Sequence, residues 1–124
     1  MEYTRLGITG LKVSRLALGC MSYGDPTVPR AHPWALTEDR AAPFFRQAVE
    51  LGITFWDTAN VYQAGTSEEF VGRAIREYSR REDIVLATKV RGPMHDGPGR
   101  LVTLPELSCV AKALAGTERG LIGR

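Results

Sequence analysis

The feature that most constrains this chain is a repeat of short apolar runs separated by amphipathic stretches. Leu16-Ala17-Leu18-Gly19, Ile53-Thr54-Phe55-Trp56 and Ile84-Val85-Leu86-Ala87-Thr88 are continuous runs rather than alternating ones. Strands of that kind are buried on both faces, as in a parallel sheet. Two segments of helical period lie between them. Residues 38–51 put Phe44, Phe45, Ala48 and Val49 on one face, with Thr37 placed to cap the start and Gly52 to end the helix. Pro43 falls inside this span, so a kinked first turn or a later start is expected. Residues 67–81 repeat the pattern with Phe70, Val71, Ala74, Ile75 and Tyr78 inward. Glu68, Arg73, Arg76, Glu77 and Arg80 are expected to face outward, and Thr66 with Glu69 has capping-box spacing. Strand, helix, strand, helix, strand implies parallel strands with right-handed crossovers. A doubly wound sheet and a (β/α)8 barrel both begin this way.

Ahead of the first strand, Tyr3 and Leu6 precede Gly7-Ile8-Thr9-Gly10, and Leu11 and Val13 follow, which reads as a small hairpin over residues 2–14. After it, residues 20–37 form a long connection in which Pro26, Pro29 and Pro33 exclude a helix. Loops of that length inside a domain are functional or disordered. The turn after the first strand reads Gly19-Cys20-Met21-Ser22-Tyr23-Gly24, which is neither a dinucleotide fingerprint nor a phosphate loop.

Charge and composition exclude several classes of function. Sixteen basic and 14 acidic side chains among 124 residues give a net charge of +2, too small and too evenly spread for a nucleic-acid or anionic-membrane surface. No apolar run approaches the ~20 residues of a membrane helix. No secretory leader is read in Met1–Arg5, so a cytoplasmic location is expected. Cys20 and Cys109 are far apart, lack a CxxC spacing, and are expected to be free thiols in a reducing compartment. His32 and His95 have no metal-ligand spacing, and no metal site is expected.

In parallel α/β proteins, chemistry gathers at the carboxyl ends of the strands. Asp57 and Lys89 end the second and third runs, and Tyr62 lies just beyond the second. A strand-end lysine close to the interior needs a carboxylate partner, and Asp57 is placed to be one. A phenol ionises near ~10, and a nearby ammonium favours its phenolate, which makes it a better proton donor to a carbonyl oxygen. Each residue also has a plainer reading: Asp57 as a cap, Tyr62 as a surface aromatic, Lys89 as a snorkelling side chain.

The run Gly52-Ile53-Thr54-Phe55-Trp56-Asp57-Thr58-Ala59-Asn60-Val61-Tyr62 resembles the second-strand motif of the aldo/keto reductases, and Gly65-Thr66-Ser67-Glu68-Glu69-Phe70-Val71-Gly72 resembles the stretch that follows it. Arg5-Leu6-Gly7, Thr9 to Ser14, Leu18-Gly19 and Thr88-Lys89 are similar to the family's hairpin, first strand and third strand. The similarity runs in order over residues 1–92. It implies a partial (β/α)8 (TIM) barrel: an N-terminal hairpin and about three βα units. It implies reduction of aldehydes or ketones by hydride transfer from NADPH, with Tyr62 as general acid and Asp57 and Lys89 tuning it. It further implies that Gly19, Cys20, Met21 and Asp57 lie near the nicotinamide. The loop carrying His32, Pro33 and Trp34 would border the substrate mouth, with Trp34 as the substrate contact; an ordinary apolar loop anchor is the other reading.

The tail, residues 93–124, departs from the family. No counterpart is recognised for its strand-4 histidine, nor for strands 5–8, although residues 105–115 could form one more helix. A barrel takes about 250 residues. The expectation is therefore a truncated product with open sheet edges that promote self-association. The alternative to a reductase is a non-catalytic fragment or interaction module.

Overall fold

The computed structural model describes residues 1–90, so the tail, including His95, Cys109 and the helix expected at 105–115, lies outside the described residues. β1 (Tyr3–Arg5) and β2 (Lys12–Ser14) form the antiparallel hairpin, with Tyr3 opposite Ser14. β3 (Ala17–Gly19), β4 (Phe55–Asp57) and β5 (Val85–Ala87) form a parallel sheet in that order, β4 in the centre. α1 (Glu38–Glu50) and α2 (Thr66–Tyr78) are the crossovers.

The register explains the core. Leu18, Trp56 and Leu86 stand in one row across the three strands. That row packs against the helices, where Phe45 and Ala48 of α1 and Val71, Ala74 and Ile75 of α2 join Cys20, Tyr23, Ala41 and Ile84. Phe45 is the pivot. Its ring stacks on Trp56 at 5.4 Å and meets Tyr23 at 4.6 Å, within the range where aromatic pairs attract.

The alternate rows, Ala17-Phe55-Val85 and Gly19-Asp57-Ala87, point to the opposite face. Here the structure corrects the expectation of burial on both faces: Ala17 and Gly19 are exposed, and Phe55, Val85 and Ala87 are only half-buried. Three strands do not close on themselves, so among the described residues only the helix-facing side is covered. Among the described residues, β3 and β5 are the sheet's two edges.

Element boundaries follow local chemistry. α1 starts at Glu38 and runs unbroken through Pro43, which is exposed, so its missing N–H removes a bond on the solvent side. Thr37 stands at the N-cap, but its hydroxyl bonds Asp39 rather than a backbone amide. α1 ends as expected. Ile53 N–H donates to Ala48 O and Gly52 N–H to Val49 O, with Gly52 at φ +75°, the left-handed turn that glycine tolerates. Phe44 does not join the buried face and is exposed.

Helix α2 departs further from expectation. Gly65, at φ +95°, takes the N-cap position, so Thr66 is already helical and no capping box forms. The helix stops at Tyr78, short of residue 81, and Arg81–Asp83 make a separate turn. Glu68 is buried rather than outward. It lies three and seven residues before Val71 and Ile75, and so on their face.

The hairpin is fastened to the sheet by Ser14. Its Oγ donates to Leu16 O at 2.6 Å and accepts the N–H groups of Thr54 and Phe55 at 3.0 and 3.2 Å.

Candidate active site

Asp57, Thr58 and Lys89 are brought together because the parallel ladder continues past the strands. Cys20 N–H donates to Asp57 O at 2.8 Å, Thr58 N–H to Ala87 O at 2.9 Å, and Asn60 N–H to Lys89 O at 3.1 Å. The three strand ends are therefore level. Lys89 Nζ donates to Asp57 Oδ2 at 2.7 Å and to Thr58 O at 2.9 Å. The same ammonium lies 5.1 Å from the centre of the Tyr62 ring. Partial burial alone would lower the lysine's pKa, but the hydrogen bond and opposite charge of Asp57, with Tyr62 close by, outweigh it and hold it above the ordinary value. The pair is not sealed: the Lys89 and Asp57 side chains are 48% and 37% exposed. Asp57 stands on the open face, flanked in register by Gly19 and Ala87, so the groups beside it are small.

Tyr62 opens a tight turn, Tyr62–Gly65, with its N–H donating to Ala59 O at 3.1 Å. Gln63 and Ala64 then take left-handed backbone angles, φ +49° and +54°. Such conformations are uncommon without glycine. They separate the side chains of consecutive residues: Tyr62 meets Lys89, whereas Gln63 reaches across to the 20–37 loop.

The first turn of α2 holds this arrangement from behind. Thr66 Oγ1 accepts Asp25 N–H and donates to Gln63 O, both at 2.8 Å. Ser67 Oγ donates to Cys20 O at 2.7 Å, so the 3.2 Å contact with Thr58 is donated by the threonine. Glu68, 2% exposed, accepts the Thr88 hydroxyl at 2.6 Å. Burial pushes the Glu68 carboxyl above the usual range, and the Thr88 hydrogen bond only partly opposes it. Three consecutive side chains thus contact the chain after β3, β4 and β5. Sequence reasoning missed Glu68 and Gln63. The helical period could have shown the first; nothing local to the sequence shows the second.

The residues expected near a nicotinamide divide. Cys20 belongs to the core: it is fully buried and a free thiol, and burial pushes its pKa up to about 12. Gly19 and Met21 are exposed, and a Cβ at Gly19 would meet nothing within 4 Å. Trp34 is 53% exposed, and its ring stacks on His32 at 4.6 Å and 10°. No group of three or more potential metal ligands occurs among the described residues, and no helix among them is long and apolar enough to cross a membrane.

Polar side chains gathered at the carboxyl ends of parallel strands lie where open α/β sheets and (β/α)8 barrels both place their sites. Comparison with known proteins gives the class. The model of the aldo/keto reductase family matches residues 15–103, and the chain belongs to that family. It is 47% identical over 90 residues to versiconal hemiacetal acetate reductase of Aspergillus parasiticus, covering 72% of this chain and 25% of that protein. It is 39% identical over 109 residues to the aldo-keto reductase dtxS3 of Metarhizium robertsii, covering 84% and 29%. Among solved structures, the holo form of aldo-keto reductase AKR11C1 from Bacillus halodurans superposes with a TM-score of 0.67 at 33% identity, over 93% of this chain and 37% of that one. The fold is therefore part of a (β/α)8 barrel, and the chain spans between about a quarter and two fifths of these relatives.

Proposed function

We propose that this chain carries the proton-donating part of an oxidoreductase site that reduces small aldehydes or ketones with NADPH, in the cytoplasm. The observation that carries the reading is the Asp57–Lys89–Tyr62 cluster, open to solvent at the level ends of three parallel strands. Membership of the aldo/keto reductase family supports the same chemistry.

The exposed residues at the strand ends fit a flat cofactor ring. Gly19 leaves bare backbone, Met21 offers an exposed apolar side chain, and Asp57 stands beside them. Cys20 would contribute only the shape of its backbone, because its N–H and carbonyl are engaged by Asp57 and Ser67. Bound NADPH would supply the hydride to the carbonyl carbon. The chain's own part is the proton. Tyr62 would donate its phenolic hydrogen to the carbonyl oxygen as negative charge develops there. The Lys89 ammonium would stabilise the phenolate left behind, and Asp57 holds that ammonium in place and charged. Trp34, exposed on its loop, would meet the carbonyl compound at the mouth.

The test is NADPH oxidation, followed by absorbance, with the purified chain and a panel of aldehydes and ketones. Turnover that disappears in Tyr62→Phe is expected. Turnover that survives the substitution rejects Tyr62 as the acid. Absence of turnover with every carbonyl rejects activity of this chain alone and favours the non-catalytic reading.

A further inference from the structure

We propose that Gln63 is a positioning residue: it fixes the 20–37 loop to the turn that carries Tyr62 and so selects which carbonyl compounds reach the acid. The second half of this statement rests on the reductase reading; the first does not.

Gln63 is 1% exposed, and both ends of its amide are bonded. Nε2 donates to Met21 O and Oε1 accepts the N–H of His32, both at 2.7 Å. One side chain therefore grips the loop near its start and again 11 residues further along. One buried side chain placed between a carbonyl and an N–H satisfies both at once, and losing it would release two points of the loop to water. The backbone beneath it is left-handed, at φ +49° and ψ +43°. Such a conformation persists in a non-glycine residue only when the surroundings hold it.

The loop is shaped to receive this side chain. Gly24 lies against it: a Cβ there would stand 2.6 Å from both Cβ and Cγ of Gln63. Thr66 secures the next residue by accepting Asp25 N–H. Tyr23 and Leu36 pair across the loop's neck. The held residue, His32, carries Trp34 stacked on its ring. Gln63 is thus the covalent neighbour of Tyr62 and the non-covalent anchor of Met21, His32 and, through His32, Trp34. A change at this one position alters the distance between acid and mouth without touching either.

The experiment compares the full chain with Gln63→Asn, Gln63→Gly and Gln63→Leu. Asparagine keeps the amide and tolerates the left-handed backbone but is one methylene too short; glycine removes any backbone strain together with the side chain. Hydrogen exchange at the His32 amide is read alongside iodide quenching of Trp34, isolated as the difference from Trp34→Phe. All three variants are expected to speed exchange at His32 about tenfold and to expose Trp34, while amides at Trp56 and Val71 keep their protection. If Gln63→Leu fails to fold, the other two carry the test. Wild-type exchange and quenching in Gln63→Gly or Gln63→Asn would overturn the proposal, because the side-chain bridge would then hold nothing.

Turnover separates the second half. With NADPH and a small and a bulky aromatic ketone, Gln63→Asn is expected to raise KM for the bulky one about tenfold while kcat changes little, as for lost positioning in binding rather than lost chemistry. Unchanged relative KM values in a loosened loop would reject the selection role. Absence of turnover in the wild type would reject the reductase reading and leave the exchange result to decide the anchoring.

Discussion

Lys89→Met separates a functional ion pair from a structural one. Two charges 2.7 Å apart attract by about 1.5 kcal/mol at the dielectric of water. Holding a lysine in one geometry costs up to about 2 kcal/mol of rotamer freedom, so the two terms nearly cancel. Exposure of 48% and 37% puts the pair among surface bridges, whose measured worth is about 0–1 kcal/mol. Methionine keeps most of the stem. Unfolding in urea, followed through Trp56 fluorescence, is therefore expected to shift by less than about 1 kcal/mol. Phe45→Ala, by contrast, empties a fully buried aromatic position and is expected to cost about 3–5 kcal/mol. In the NADPH assay the order reverses. Without the ammonium the phenolate loses its counter-charge, and kcat is expected to fall about 100-fold or more. A stability loss in Lys89→Met as large as that of Phe45→Ala would refute the reasoning, because the pair would then be part of the frame. Retention of kcat within about threefold would refute it from the other side.

Gly24→Ala combines a strained φ of +146° with a Cβ 2.6 Å from Gln63, and a thermal melt is expected to show a loss of about 1–3 kcal/mol; an unchanged Tm would contradict the cradle. Glu68 tests linkage. Its folded pKa is raised, so the folded chain keeps a proton that the unfolded chain has lost, over a window that opens near the ordinary 4.5 and closes at the folded value. Stability from this group is greatest below the window and falls as pH rises through it. Glu68→Gln should remove that fall and be the more stable form at neutral pH, as read from urea midpoints across the window; a wild-type slope that persists in the variant would reject burial as its cause. Sedimentation is expected to speed up with concentration through pairing at the exposed β3 edge, and less so in Leu16→Lys; a concentration-independent value in the unsubstituted chain would reject it.

The alternation of parallel strands and helices was legible because periodicity is a property of the chain itself. The runs that contain Leu18, Trp56 and Leu86 announce the strands, though not which face is covered, and Gly52 announces the end of α1. The Asp57–Lys89 pairing was legible for a similar reason: a strand-end lysine requires a carboxylate, and neighbouring parallel strands bring one level with it. Other features depend on what packs where. Phe44 has the period of the inner face, yet the width of that face is set by α2 and Trp56, which leave it outside. Thr66 and Glu69 have the spacing of a capping box, but Gly65 adopts the capping conformation, and the Thr66 hydroxyl is engaged by Asp25 and Gln63. Glu68 looks solvent-bound by charge alone, and only Thr88, twenty residues away, makes its burial tolerable. Gln63 was the least legible, because its role exists only once the loop has returned to meet it.

The pairing of Tyr23 with Leu36 has a consequence for how such a chain can change. The 20–37 loop leaves the sheet and comes back to its own point of departure, so the gap between its ends is fixed by the neck and not by what lies between. Residues 26–34 are expected to tolerate change as a unit, with Asp25 held by Thr66 at one end. Changes of sequence and length there should leave β3, α1 and the level strand ends in register, so long as the segment still offers a backbone N–H to Gln63. Asp57, Tyr62 and Lys89 thereby stand on a frame that is expected to survive change in that segment.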